Sequence, residues 1–176
     1  MKKAITITLN EINKYFYEKD GELYWKIKKC NSAMADTIAG GIRDKRRGYK
    51  TVMLNYKHLS VHRVLYQLYH NIEQLNNTIQ IDHIDRNTLN NSKENLRLAI
   101  HDQNQMNRVM KKPNKSGHKN ISVERPKNIT YFTVEITALK KYRIKKYFQY
   151  TEEGLQAAII FRDEQLRIYH GEFANT

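Results

Sequence analysis

An Asp82-His83 pair closes a β-branched apolar stretch, Thr78-Ile79-Gln80-Ile81, and a run of amides follows it: Asn87, Asn90, Asn91, Asn95, Asn104 and Asn107. A carboxylate is a hard oxygen ligand, and an imidazole with a pKa of about 6.5 is mostly neutral near pH 7, so the pair can hold a divalent cation and take a proton from water. Asn95 lies twelve residues after His83 and Asn104 nine after Asn95, and both supply neutral oxygens. Phosphodiester hydrolysis needs such a set: water attacks phosphorus in line while the leaving 3′ oxygen is stabilised, with a base and a cation at opposite ends of that line. An Asp-His pair alone is usually surface decoration. What singles this one out is the company of Asn95 and Asn104 in a span with little apolar content.

These residues require elements to hold them. The pattern predicts a strand over Ile79 to Asp82, a long Asn-rich loop, a strand over Asn95 to Leu98 and a helix over Asp102 to Val109. Consecutive strand residues point to opposite sides, which separates Asp82 from His83. Asp85, Asn87, Asn90 and Asn91 read as turn formers, because Asx side chains satisfy nearby backbone groups. Upstream, Thr8-Leu9-Asn10-Glu11 predicts a capped short helix that ends at Asp20-Gly21, and Glu22 to Ile27 a strand. Gly40-Gly41 opens a basic loop with Arg43, Lys45, Arg46 and Arg47; Tyr49 to Leu54 and His58 to Val61 then predict a hairpin, and His62 to His70 a helix.

The order Asp-His, Asn, Asn over strand, loop, strand and helix resembles the HNH nucleases, specifically the phage and intron-encoded branch in which the last His is replaced by Asn. The resemblance implies a ββα-metal (His-Me finger) module with its core at 78–109 inside an N-terminal portion 1–110. By the same resemblance Asp82 and Asn104 would bind one Mg²⁺ or Mn²⁺ per site, with no zinc, His83 would be the general base, and Asn95 would hold the His-bearing loop. An amide oxygen in place of imidazole suits such a hard cation. Val61-His62-Arg63 recurs in related proteins, which implies that His62 packs beside the site. Asn107 either backs up the site or caps the helix.

The segment 111–117, Lys-Lys-Pro-Asn-Lys-Ser-Gly, has no apolar residue and reads as a linker. Beyond it Ile121 to Val123, Tyr131 to Ala138 and Tyr142 to Phe148 predict three strands, and Thr151-Glu152-Glu153 the start of a helix. In the middle strand Phe132, Val134, Ile136 and Ala138 alternate with Thr133, Glu135 and Thr137, one face for a core and one for solvent. Residues 116–175 resemble an AP2-type DNA-binding domain, assigned to 118–176, with Asn120 and Lys146 where that family usually has Gly. The fold class expected is α+β, a ββα-metal nuclease module followed by a small three-stranded antiparallel sheet plus helix.

Charge agrees with such a partner. The 176 residues include 31 Lys and Arg against 18 Asp and Glu, a net +13, and that sign favours a polyanion, most often nucleic acid. From Lys111 through Tyr147 there are eleven basic residues and two acidic ones. Thr133, Glu135 and Thr137, with Lys119, Ser122, Arg125, Arg143 and Lys145, are the candidates for contact with double-stranded DNA, and Arg43, Lys45, Arg46 and Arg47 form a second contact area. Cys30 is the one cysteine, so neither an internal disulfide nor a Cys-pair zinc site is available. No run has the roughly 18 apolar residues of a membrane span, and Ala4-Ile5-Thr6-Ile7 is too short for a leader. The expectation is a cytoplasmic, metal-dependent DNA endonuclease of homing or nicking type, a monomer with a dimer as the alternative, needing no small-molecule cofactor. The rivals are a non-catalytic DNA-binding regulator and an RNA-binding or RNA-cleaving protein.

Overall fold

A computed structural model describes residues 7–43, 48–108, 110 and 114–175. The chain is mixed α+β and forms two compact units, residues 1–100 and 101–176.

In the first unit, helix α1 (Leu9–Tyr15) begins with a reciprocal cap: Thr8 Oγ1 accepts from the Glu11 amide, and the Glu11 carboxylate accepts from the Thr8 amide, both at 3.2 Å. It runs directly into β1 (Phe16–Lys19), which pairs antiparallel with β2 (Glu22–Trp25). The turn residues Asp20 and Gly21 have φ of 52° and 75°, the left-handed conformation a two-residue hairpin needs. A second sheet holds β3 (Gly41–Ile42), β4 (Lys50–Leu54) and β5 (Lys57–Ser60) in that order. Helix α2 (Val61–His70) follows without a loop. Ile12, Phe16, Leu23, Val61, Val64 and Leu65 are each at most 1% exposed and form the centre of one core. Such a side chain contributes roughly 1.5–3 kcal/mol when fully buried. A satellite cluster of Tyr66, Leu75, Ile81 and Leu96 seats the last strand pair, β6 (Gln80–His83) and β7 (Leu96–Ala99), against α2.

In the second unit, α3 (His101–Asn107) precedes a three-stranded antiparallel sheet in the order β10 (Tyr142–Gln149), β9 (Tyr131–Ala138), β8 (Ile121–Glu124), and α4 (Glu152–His170) covers one face of that sheet. Phe132, Val134 and Ile136 of β9 meet Ala158 and Leu166 of α4, the predicted alternation made concrete. Thr151 caps α4 by accepting from the Gly154 amide at 3.1 Å. Gly154 is required there: a Cβ would lie 2.0 Å from the Gln149 carbonyl oxygen. Asn120, where the resembled family has Gly, adopts φ of 62°, a conformation Asn tolerates better than most residues.

Helix α3 ends at Asn107 and is bound to its own unit: Asn175 Nδ2 donates to the carbonyls of Asn107 (3.1 Å) and Arg108 (2.8 Å). Of the expected linker, Lys111 to Pro113 lie outside the described residues. Asn114 is tied to β8, its Nδ2 donating to the His118 and Ile121 carbonyls at 2.9 and 2.6 Å. No helix among the described residues is long and apolar enough to cross a membrane.

Candidate active site

The β6-β7 register sets Asp82 opposite Arg97 and His83 opposite Leu96. Helix α2 fixes the approach to β6, because Arg63 donates from Nη1 to the Ile79 carbonyl (2.7 Å) and from Nη2 to that of Asn76 (3.1 Å). One residue earlier on α2, His62 turns toward His83, with ring centroids 5.3 Å apart in an edge-on arrangement. Tyr49 closes the group at 5.2 Å from His62 and 5.9 Å from His83. Packing around His62 pushes its pKa down to about 3, with the His83 and Arg63 charges acting in the same direction. His62 therefore stays neutral near pH 7 and adds no charge beside His83.

His83 is 3% exposed, and its Nε2 lies 3.1 Å from Oδ1 of Asn91, itself 2% exposed. That contact fixes the orientation of the His83 ring. Asn91 is held in turn by Tyr69, whose hydroxyl donates to the Asn91 carbonyl at 3.0 Å. On the other side of β6, Asp82 is 6% exposed and its Oδ2 accepts both Nε (3.0 Å) and Nη2 (2.9 Å) of Arg97.

Asn95 clamps the intervening loop. Its Nδ2 donates to Asp85 Oδ1 (2.8 Å) and to the Asn90 carbonyl (2.7 Å), while its Oδ1 accepts from the Asp85 amide (2.9 Å). Three of the expected turn formers behave as such, Asp85 accepting from the Asn87 amide, Asn87 from that of Leu89 and Asn90 from that of Ser92, whereas Asn91 turns its amide oxygen to His83. Burial alone would raise the Asp85 pKa, but hydrogen bonds from Asn90, the Asn87 amide and Asn95 bring it below the ordinary carboxylate value.

The structure thus brings Asp82, His83 and Asn95 together on one strand pair and its loop. Asn104 stands half-buried on α3, in the other compact unit. Two site residues escaped the sequence reading. Arg97 follows from the antiparallel register, which a hairpin of known turn geometry would have fixed; Asn91 carries no signal of its own among so many Asn. The donor chemistry suits a hard cation, since Asp82 offers carboxylate oxygen, but one of its oxygens already serves Arg97. Compared with protein-family models, with curated proteins and with solved structures, the chain finds no match.

The candidates for DNA contact divide. Thr137, Arg125 and Arg43 are exposed, and Ser122 is partly so; Arg46 and Arg47, with Lys45, lie outside the described residues. Thr133, expected on the open face, is wholly buried instead. Lys145 on β10 and Glu124 on β8 reach each other at 2.9 Å, and their register places that ion pair across β9 at Thr133. Glu135 is paired with Arg143 at 2.9 Å. Lys119, expected at a phosphate, donates to the carbonyls of Met106 (2.7 Å) and Arg108 (2.6 Å), where an ammonium stabilises the end of α3. Tyr131 and Tyr147, packed edge to face at 5.8 Å, share the open face and were not singled out from sequence. Lys146, where the resembled family has Gly, sits 4.4 Å from the ring centre of Phe161 on the helix side.

Proposed function

We propose that the chain is a metal-dependent endonuclease acting on double-stranded DNA, with His83 as general base. The observation that carries the reading is the buried His83 to Asn91 hydrogen bond, which fixes the imidazole orientation. In this account the His83 imidazole takes a proton from water, the resulting hydroxide attacks phosphorus, and the P–O3′ bond breaks. The neutral His62 beside it keeps a proton on His83 from being repelled before turnover is complete. A bound Mg²⁺ or Mn²⁺ would supply charge stabilisation at the phosphate and the leaving oxygen. Asp82 would hold that ion, and Arg97 beside it would help to neutralise a phosphate oxygen. Asn95 keeps the loop that follows His83 and carries its partner Asn91 in one geometry, and a catalytic group gains most from such fixed placement. The C-terminal sheet, with its surplus of Lys and Arg, would add sequence-independent phosphate contacts. The ββα-metal and AP2-like descriptions of the two modules belong to this proposal.

The Asp82 to Arg97 pair also favours a second reading, a DNA-binding regulator in which the carboxylate serves only the fold. Supercoiled plasmid and a structured RNA, each incubated with the chain and Mg²⁺ and then with EDTA, separate the readings. Metal-dependent nicking of plasmid but not RNA is expected; gel-shift binding without any cleavage would favour the regulator.

A further inference from the structure

The β4-β5 hairpin turns on Asn55 and Tyr56, with φ of 48° and 62°. Such a two-residue turn favours Asn followed by Gly, because its second residue must be left-handed. Tyrosine at that position is strained, and it gains no packing in return: Tyr56 is 98% exposed. Tyr56 is among the residues that line a cavity of about 670 Å³, large enough for a nucleotide, within the N-terminal unit. The walls mix apolar Trp25, Val52, Met53 and Ile38 with polar Ser32, Thr51 and Asn55, and among the described residues no acidic side chain lines it. Lys29 stands on the rim, its Nζ 2.9 Å from Asn55 Oδ1 and 4.7 Å from the centre of the Tyr15 ring, and the exposed Lys57 follows Tyr56 directly.

We infer that this cavity takes an unpaired nucleobase of a DNA strand, stacked on Tyr56, with the flanking phosphates against Lys29 and Lys57. An aromatic face beside cationic groups is the combination by which proteins hold single-stranded nucleic acid. A peptide partner would find no acidic counterpart for its own cations and would not need a ring held in a strained turn. The inference rests on the reading of the chain as a DNA-acting protein and adds a binding site to it, away from His83.

Trp25 is the only tryptophan and lines the cavity, so its emission reports occupancy directly. The full chain is titrated with a short oligo-dT and with an abasic oligomer of the same length and charge. Saturable quenching by oligo-dT, absent with the abasic strand, is expected. Tyr56→Phe should bind within about threefold of wild type, and Tyr56→Gly about tenfold more weakly, as loss of one stacked base implies. Glycine suits this turn better than tyrosine, so a higher melting temperature should accompany the weaker binding. Equal quenching by the abasic strand, no quenching at all, or unchanged affinity of Tyr56→Gly would overturn the inference. Plasmid nicking measured in the same buffer separates the two proposals. Nicking without base-dependent quenching overturns the pocket alone, while base-dependent quenching without nicking supports the pocket and removes the nuclease.

Discussion

Asp82 and His83 are neighbours in one strand, yet one faces a guanidinium and the other two aromatic rings and an amide. Removing Arg97 would take a counter-charge and two hydrogen bonds from a buried carboxylate, so Arg97→Ala should cost about 3 kcal/mol or more in urea denaturation. A loss below about 1 kcal/mol would mean that the pair contributes little. His62 predicts a pH effect with a definite sign. Its folded pKa lies near 3, below the unfolded value, so between those values the unfolded state binds the extra proton. Stability is therefore complete above about pH 6.5 and falls as pH drops toward 3, by about 2 kcal/mol between pH 7 and pH 5. Unfolding of wild type and His62→Phe at both pH values checks this, since the variant should lose that increment. At this scale the sequence draws attention to a residue type out of place in its context, as with Asp82-His83 after an apolar strand. It was silent where identity depends on register or on a neighbour from another element. Arg97 is one such case, and Lys119, a lysine among many that turns out to hold the end of α3, is another.

Elements were legible when their signals were local. The Thr8 to Glu11 cap, the alternation in β9 and the Thr151 cap of α4 all lie within a few residues of sequence and formed as expected. The turns at Asn55-Tyr56 and Leu139-Lys140 were not legible as left-handed pairs, because neither Tyr, Leu nor Lys favours positive φ. Thr133 was misjudged for a related reason: alternation gives the face of a strand but not what bridges over it from the flanking strands. The loop between β6 and β7 is the element on which the site depends, and Asn95 is its clamp. Asn95→Ala removes three side-chain hydrogen bonds from a residue 7% exposed, which should cost about 2–3 kcal/mol. Hydrogen exchange should then quicken at residues 84–91 while the amides of α2 keep their protection. Unchanged exchange in that loop would contradict the clamp.

At the scale of the molecule, the compact division falls after Ile100, and α3 goes with the C-terminal unit. Contacts from Lys119 and Asn175, distant in sequence, decide this, and no local pattern announces them. The net +13 charge predicts duplex affinity that falls steeply with salt, with a log-log slope of about −0.9 per phosphate neutralised. A slope near zero in a gel shift between low and physiological salt would refute an electrostatic interface. The central claim is that His83 acts on water rather than on the fold or on DNA affinity. Its most direct test is plasmid nicking by wild type and His83→Ala, with duplex affinity measured on the same preparations. The account predicts Mg²⁺-dependent nicking by wild type and a fall of about 10²-fold or more in the variant at near-equal affinity. Nicking by His83→Ala at the wild-type rate, or none by the wild type, would contradict it.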